Sequence, residues 1–495
     1  MSGSRSRPTK RRKTRAGAND DEDIPTPQAQ ANAPSATALS ARTVAPAGLQ
    51  ANETTRELTR SWLKALPDTL LQKLFFSIRA SKPALLTHAL IVSCFLRCSS
   101  IQLDSSMPAI GRVTIASIRD SATAADLQEL ILTDFEKEPD NMFASMVAMM
   151  PSLKVLVLRG CTKVGQRSAD AVAKHCPQLT VLNLSYTSVL PANIAPILRA
   201  CANLQTLKCA GISSWTDAAF AKLQAALNSY EEHQLIKLQS LKLRQTFLSD
   251  HALGPFIALC PNLKRVDLSF TLVRRPSQLL AGRSLEKLSL NSTKISGDEL
   301  LSTVQQSTFQ NLNSLNIAAL GGGQGSSAAI SNSSAMSMSD DTLRALTDLL
   351  ATYPPIDQVN LVGNTKLGIT GRQDRALADF VRRVGRRCKV LNLSNITSLR
   401  SSDLEGLQTW EDETAPARLQ LLSLNNTSVD DDAAPYIASC PHIETLAVGG
   451  TKFTGTGLFP IIDACPRLQK LDLTSCRGVR VGDRRRFFEV WQQER

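Results

Sequence analysis

The sequence predicts an α/β solenoid preceded by a disordered N-terminal arm. Three observations point there. An apolar hexamer returns about every 26 residues from residue 100 onward, helical apolar spacing fills most intervals between hexamers, and residues 1–50 almost lack large apolar side chains. A length of 495 residues would by itself suggest about three domains. Aromatic residues are only 5% of a chain that is 43% hydrophobic, so aliphatic side chains must supply the core. That suits thin repeated layers better than one large globular core.

Residues 1–55 are assigned to the arm, rich in Ala, Pro, Thr, Ser and Gln. It carries the compact basic cluster Lys10, Arg11, Arg12, Lys13 and Arg15, then the acidic run Asp20-Asp21-Glu22-Asp23. The cluster has the form of a nuclear-import signal; the alternative is a solvated arm. The first 15 residues have no apolar stretch, so no secretory signal is expected. Ala84–Leu96 is the longest nearly apolar stretch and is too short to span a membrane. The chain is therefore expected in the nucleus, the cytoplasm or both.

Residues 56–100 read as helical. Leu70, Leu71, Leu74, Phe75 and Ile78 form an i, i+1, i+4, i+5, i+8 stripe, and Pro67 suits the first helical position. A second helical pattern runs from Leu85 to Leu96.

The repeats occupy 101–480. The unit Leu-x-x-Leu-x-Leu recurs thirteen times, beginning at residues 127, 153, 179, 204, 238, 263, 285, 312, 356, 388, 419, 443 and 468, with Ile, Val or Cys sometimes replacing Leu. Around the second leucine the chain is extended, so the leucines point one way and the residues between them the other. Helical spacing follows, as in Ser168–Lys174. One strand–helix unit cannot bury its own leucines, whereas a stack of units buries them in a continuous core. A low-complexity insertion, 321–340, interrupts the stack as an expected loop, and 481–495 reads as a C-terminal cap.

A second recurring element is Cys-Pro before the hexamer, at Cys176-Pro177, Cys260-Pro261, Cys440-Pro441 and Cys465-Pro466. Proline stops the helix, and the cysteine acts as a small buried hydrophobe that lets helix and strand close up. The regular cysteines then need neither disulfides nor metal.

With these motifs the chain resembles the leucine-rich repeat proteins of the cysteine-containing class, shared by F-box-like and ribonuclease-inhibitor-like proteins. The resemblance implies a leucine-rich repeat solenoid with a parallel β-sheet on the concave face and helices outside, and protein recognition as its task. Leu66, Pro67, Leu70, Leu71, Leu74 and Phe75 are similar to the opening of an F-box, which implies binding to a cullin-type ligase adaptor. A tryptophan expected later in that box is missing. The alternative is a helical cap over the first repeat, and one helix can serve both purposes.

The outward positions of the strands carry an uneven charge. Across the repeats beginning at 153 to 285 they include Lys154, Arg159, Lys208, Lys242, Arg244, Lys264, Arg265 and Lys287, opposed only by Asp267 and Glu286. This stripe predicts a site for an acidic or phosphorylated protein segment; the alternative is a solvated face. The last repeats offer Asn425, Asn426, Gly449, Gly450 and Asp472 instead.

Little points to catalysis. The glycine run at 321–325 lacks the Gly-Lys-Ser/Thr ending of a phosphate loop, and no serine-hydrolase or His-Glu-x-x-His motif occurs. His88, Cys94 and Cys98 lack zinc-site spacing. No cofactor, metal or catalytic residue is expected. The expected function is a non-catalytic protein-interaction module, most specifically the substrate-recognition subunit of a cullin-type ubiquitin ligase. The alternatives are a leucine-rich repeat scaffold without ligase link, in nuclear signalling or repair, and a nucleic-acid-associated protein suggested by the net charge of +12 and the basic tail. A nucleic-acid partner is the least favoured, because the strands do not interleave aromatics with base-contacting residues.

Overall fold

Each second leucine of the hexamer sits beside its counterpart in the next repeat. Leu130 pairs with Leu156, Leu156 with Leu182, Leu182 with Leu207, and the register continues without a slip to Leu446 and Leu471. A computed structural model describes residues 53–107, 110–228, 234–306, 311–320, 338–369, 375–408 and 415–493. The basic cluster Lys10–Arg15 and most of the low-complexity insertion lie outside the described residues. The chain divides into two compact units, Met1–Trp62 and Leu63–Arg495. In the first, the described residues belong to the start of helix Glu53–Ala65, where Leu58 and Trp62 are exposed.

The second unit contains a parallel sheet whose described strands run in chain order. They are β1 (Ser100–Asp104), β2 (Glu129–Thr133), β3 (Val155–Val157), β4 (Val181–Asn183), β5 (Thr206–Lys208), β6 (Ser240–Lys242) and β7 (Arg265–Asp267). They continue as β8 (Lys287–Ser289), β9 (Ser314–Asn316), β10 (Gln358–Asn360), β11 (Val390–Asn392), β12 (Leu421–Ser423), β13 (Thr445–Ala447) and β14 (Lys470–Asp472). The sheet is unclosed, and the fold is that of a leucine-rich repeat solenoid. The leucines of the hexamers are buried, for example Leu153, Leu156 and Leu158, all fully so.

Strand β1 adds a repeat to the thirteen hexamers. Its three inward positions are Cys98, Ile101 and Leu103, all buried, and Ile101 pairs with Leu130. Two of the three leucines are replaced, so leucine spacing does not reveal it.

Helices return the chain between strands, among them Asp140–Val147, Gln166–His175, Asp217–Asn228, Asp340–Thr352 and Gly455–Ala464. Cys176, Cys201 and Cys465 are the C-caps of their helices. All eleven cysteines are free and buried. Several thiols reach the preceding repeat: Cys201 Sγ donates to the Cys176 carbonyl at 3.3 Å and Cys465 Sγ to that of Cys440 at 3.5 Å. After β11 the return is a 3-10 helix, Ser401–Leu407. There Gly406 lies so close to helix Ala376–Arg383 that a Cβ would come within 2.7 Å of the Arg382 Cα.

Carboxylates join successive helices. Asp140 begins one helix yet accepts the backbone N–H of Gly165 at 2.9 Å and of Arg167 at 2.9 Å, at the start of the next. Asp217 accepts from Ser249 N at 2.8 Å, Asp340 from Gly368 N at 2.7 Å and Asp431 from Thr454 N at 2.8 Å. Asp140, Asp217 and Asp431 thereby supply acceptors for N–H groups that a helix start leaves without intrahelical partners, whereas Gly368 lies well before the next helix, Ala376–Arg383.

A second column lies just past the strands. The residue seven places after the first hexamer position adopts a left-handed backbone in all thirteen repeats, from Asp134 (φ 62°) and Gly160 (φ 72°) to Gly450 (φ 70°) and Ser475 (φ 60°). The turn aims its N–H at the next repeat, as from Asp134 to the Arg159 carbonyl at 2.8 Å and from Gly450 to that of Thr474 at 2.7 Å. These bonds extend the sheet ladder beyond the strands.

Candidate protein-binding surface

The basic residues named from the pattern are brought together along β3 to β8 by the parallel register. Lys208 on β5 pairs with Lys242 on β6, which pairs with Asp267 on β7. Arg265 on β7 pairs with Lys287 on β8. Neighbouring strands lie about 4.8 Å apart, so each pair is one strand spacing away.

Both acidic residues of the face are engaged. Asp267 Oδ2 lies 3.8 Å from Lys242 Nζ, and Glu286 Oε1 lies 3.1 Å from Lys264 Nζ. Lys154 donates to Gln128 Oε1 at 3.0 Å. Arg265 is exposed, Lys154 likewise, and Arg159, Lys242, Arg244, Lys264 and Lys287 are half-buried. Lys208 departs from the expectation of an accessible cation: it is only 3% exposed. Columns of strand side chains cover one another at this spacing, and Asn183 and Lys242 flank it on the adjacent strands.

Sequence reasoning did not single out the edge beyond the strands. Tyr186 (φ 59°), Gln245 (φ 58°) and Phe270 (φ 58°) take the left-handed position in three repeats of the basic region. The Tyr186 hydroxyl donates to Gln245 Oε1 at 2.7 Å. Its ring crosses Gly211 (φ 68°), where any Cβ would overlap it. The Arg159 guanidinium stands 5.6 Å from the Tyr186 ring centre, and that of Arg244 stands 5.1 Å from Phe270. Large side chains in a column otherwise held mainly by Asp, Asn, Gly, Ser and Ala are the signal that was available.

The helix Asp68–Ser81 divides the F-box-like residues between two roles. Pro67 is its N-cap rather than its first residue. Leu71, Phe75 and Ile78 are buried, with Phe75 against Phe95 at 5.3 Å. Gln72 Nε2 donates to the Ser100 carbonyl at 3.0 Å, and Ser100 N donates back to Gln72 Oε1 at 3.3 Å. Arg79 donates to Gln102 Oε1 at 2.7 Å. The helix thus covers the free edge of β1 and occupies backbone groups that an open edge would leave for another chain. Pro67 and Leu70 are exposed, and Leu66 and Leu74 are half-buried.

The basic run before β11 serves the fold. Arg383 reaches Asp348 at 2.6 Å, Arg387 donates to the Ala351 and Tyr353 carbonyls at 3.3 Å, and Arg386 donates to that of Ala415 at 3.0 Å. His88 Nδ1 lies 3.0 Å from Thr114 Oγ1, while Cys94 and Cys98 are buried in the core. Burial pushes the Cys98 thiol up to about 11. Among the described residues no helix is long and apolar enough to cross a membrane.

Residues 115–227 match the family described as FBD-associated F-box protein At5g56370, LRR repeats. A further similarity is to F-box/LRR-repeat protein 23 of Arabidopsis thaliana, 37% identical over 70 residues. Those residues are 14% of this chain and span only 16% of that protein's length. Among solved structures, the chain is similar to one in the Rad7 and Elc1 complex from yeast, at 16% identity and a TM-score of 0.49, covering 79% of this chain and 86% of that one. It is also similar to the Leptospira interrogans LRR protein LIC12759, at 16% identity and a TM-score of 0.39, covering 84% of this chain and 96% of that one. With the hexamers in register and the Cys-Pro cysteines buried at their helix ends, the chain has the leucine-rich repeat fold, and its repeats are similar to those of F-box/LRR proteins.

Proposed function

We propose that the chain acts by binding rather than catalysis, as the substrate-recognition subunit of a cullin-type ubiquitin ligase. Leucine-rich repeats generally offer an extended binding surface, and repeat similarity to F-box/LRR proteins points to ligase work. The observation that carries the finer reading is the two-sided helix Asp68–Ser81. Its Leu71, Phe75 and Ile78 face the core, while Leu70, Leu74, Leu66 and Pro67 retain accessible apolar surface for an adaptor. The basic sheet face would then hold an acidic or phosphorylated target segment. The cluster Lys10–Arg15 fits nuclear import, so the working compartment is the nucleus, the cytoplasm or both.

Affinity capture of the full chain from cell extract, probed for cullins and their adaptors, tests this. The variant Leu70→Ala/Leu74→Ala spares the fully buried residues. A cullin adaptor held by the wild type and reduced at least tenfold in the variant is the expected result. Its absence from the wild-type capture overturns the ligase role. The scaffold reading then stands, because the contacts of Gln72 and Arg79 already explain the helix as a cap.

A further inference from the structure

The left-handed column is a backbone requirement of every repeat, and most repeats meet it with residues suited to it. Asp134, Asn395 and Asn426 have short polar side chains that tolerate this backbone, and Gly160, Gly363 and Gly450 have none to clash. After β4, β6 and β7 the same position is instead held by Tyr186, Gln245 and Phe270, with Gly211 after β5. The turn itself requires neither ring, and both rings are only half-buried. Such strain persists where something besides the local fold selects the side chain.

The neighbouring chemistry gives the selected property. Each ring has a guanidinium over it, Arg159 on Tyr186 and Arg244 on Phe270. Two positions past Gln245 and Phe270, at equal register in adjacent repeats, Phe247 and Leu272 are each 41% exposed. Lys242, Lys264 and Arg265 lie earlier in the same two repeats, on the basic sheet face. Cation and apolar surface therefore alternate along one edge.

We infer that this edge docks an acidic partner segment that also carries aromatic or large aliphatic side chains. Its carboxylates meet Arg159, Arg244 and the sheet face, and its apolar side chains lie against Tyr186, Phe270, Phe247 and Leu272. Guanidinium groups bind carboxylates with two parallel hydrogen bonds, and stacking on a ring holds the guanidinium plane in place for them. This deepens the proposed use of the basic face and rests on that face being the target site, not on the adaptor.

A phage-displayed library of random dodecapeptides, selected on the full chain, tests the edge. Enrichment of sequences combining Asp or Glu with Phe, Tyr, Trp or Leu is expected. Tyr186→Asn/Phe270→Asn should weaken those peptides at least tenfold without lowering the melting temperature, because Asn accepts the left-handed backbone. Arg159→Gln/Arg244→Gln, which keeps the rings, should also weaken them. No enrichment, or enriched peptides that bind both variants as they bind wild type, overturns the inference. So does a lower melting temperature of the Asn variant, which would make the rings structural. Purely acidic peptides lost only in Lys264→Glu/Arg265→Glu would leave the basic face standing and overturn the edge. If the combined peptides behave as expected while adaptor capture fails, the ligase role falls and the edge stands.

Discussion

The repeats around β4 to β8 and those around β11 to β14 share backbone, register and buried leucines, yet present opposite surfaces. The first group turns Lys242, Lys264, Arg265 and Lys287 outward, and its left-handed column holds Tyr186, Gln245 and Phe270 beside Gly211 and Ser292. The second places Asn392, Ser423, Asn425 and Asp472 on the face, with Asn395, Asn426, Gly450 and Ser475 in the column. Its polar groups serve one another. Asn425 Oδ1 accepts from Gly449 N at 2.6 Å, and Asn426 Nδ2 donates to Asn395 Oδ1 at 2.9 Å. Hydrogen bonds from the Thr474 side chain and backbone hold the Asp472 carboxyl below the usual carboxylate range. The first group has pairs of its own, Tyr186 with Gln245 and Lys242 with Asp267, but also carries half-buried rings that the turn does not require.

The largest expected effect ignores this difference. Burial holds the thiols of Cys176, Cys260, Cys388 and Cys440 up to about 12, and those of Cys201 and Cys465 up to about 11, against a usual 9.0. A group whose folded value is raised contributes stability that is complete below the unfolded value and is lost as pH climbs toward the folded one. Between pH 9 and 11, stability should fall by on the order of 1 kcal/mol per pH unit for each such thiol. Urea-unfolding midpoints at stepped pH check this, and a flat profile to pH 11 would contradict it. Both regions should fail together, since both contain these cysteines.

A smaller effect compares the two cores directly. Leu241→Ala and Leu422→Ala, at equivalent fully enclosed positions, should each cost about 2–5 kcal/mol. Denaturant unfolding should find them alike within about 2 kcal/mol, the usual scatter between such sites. A gap beyond that would mean the regions differ beneath the surface as well.

The smallest effect isolates the column. Asn426→Tyr should destabilise by about 1–2 kcal/mol, from left-handed strain in a residue with a bulky side chain. If the variant matches wild type in melting temperature, tyrosine is tolerated throughout the column and Tyr186 needs no special explanation.

Much of this was legible beforehand, and for one reason. A leucine's inward direction follows from its own backbone and its neighbours two and three residues away, so the hexamers and their burial could be read locally. The Cys-Pro helix ends are local in the same sense. Strand β1 escaped because Cys98 and Ile101 do the work of leucines without the name. The division of the F-box-like residues escaped because the helical stripe shows which side chains share a face but not what that face meets. The burial of Lys208 escaped because its cover comes from side chains about 25 and 34 residues away in the chain.

By itself, then, the sequence determined a stacked strand–helix architecture, the order and inward register of its repeats, and which half would be basic. Only the tertiary structure decided that Asp140, Asp217 and Asp431 cap the helix of the following repeat, and that Asp340 reaches the Gly368 N–H. It alone placed Tyr186 across Gly211 onto Gln245. Periodicity records what each residue owes to its own segment. Contacts between stacked repeats join residues some 25 positions apart, and they come into being only when the layers meet.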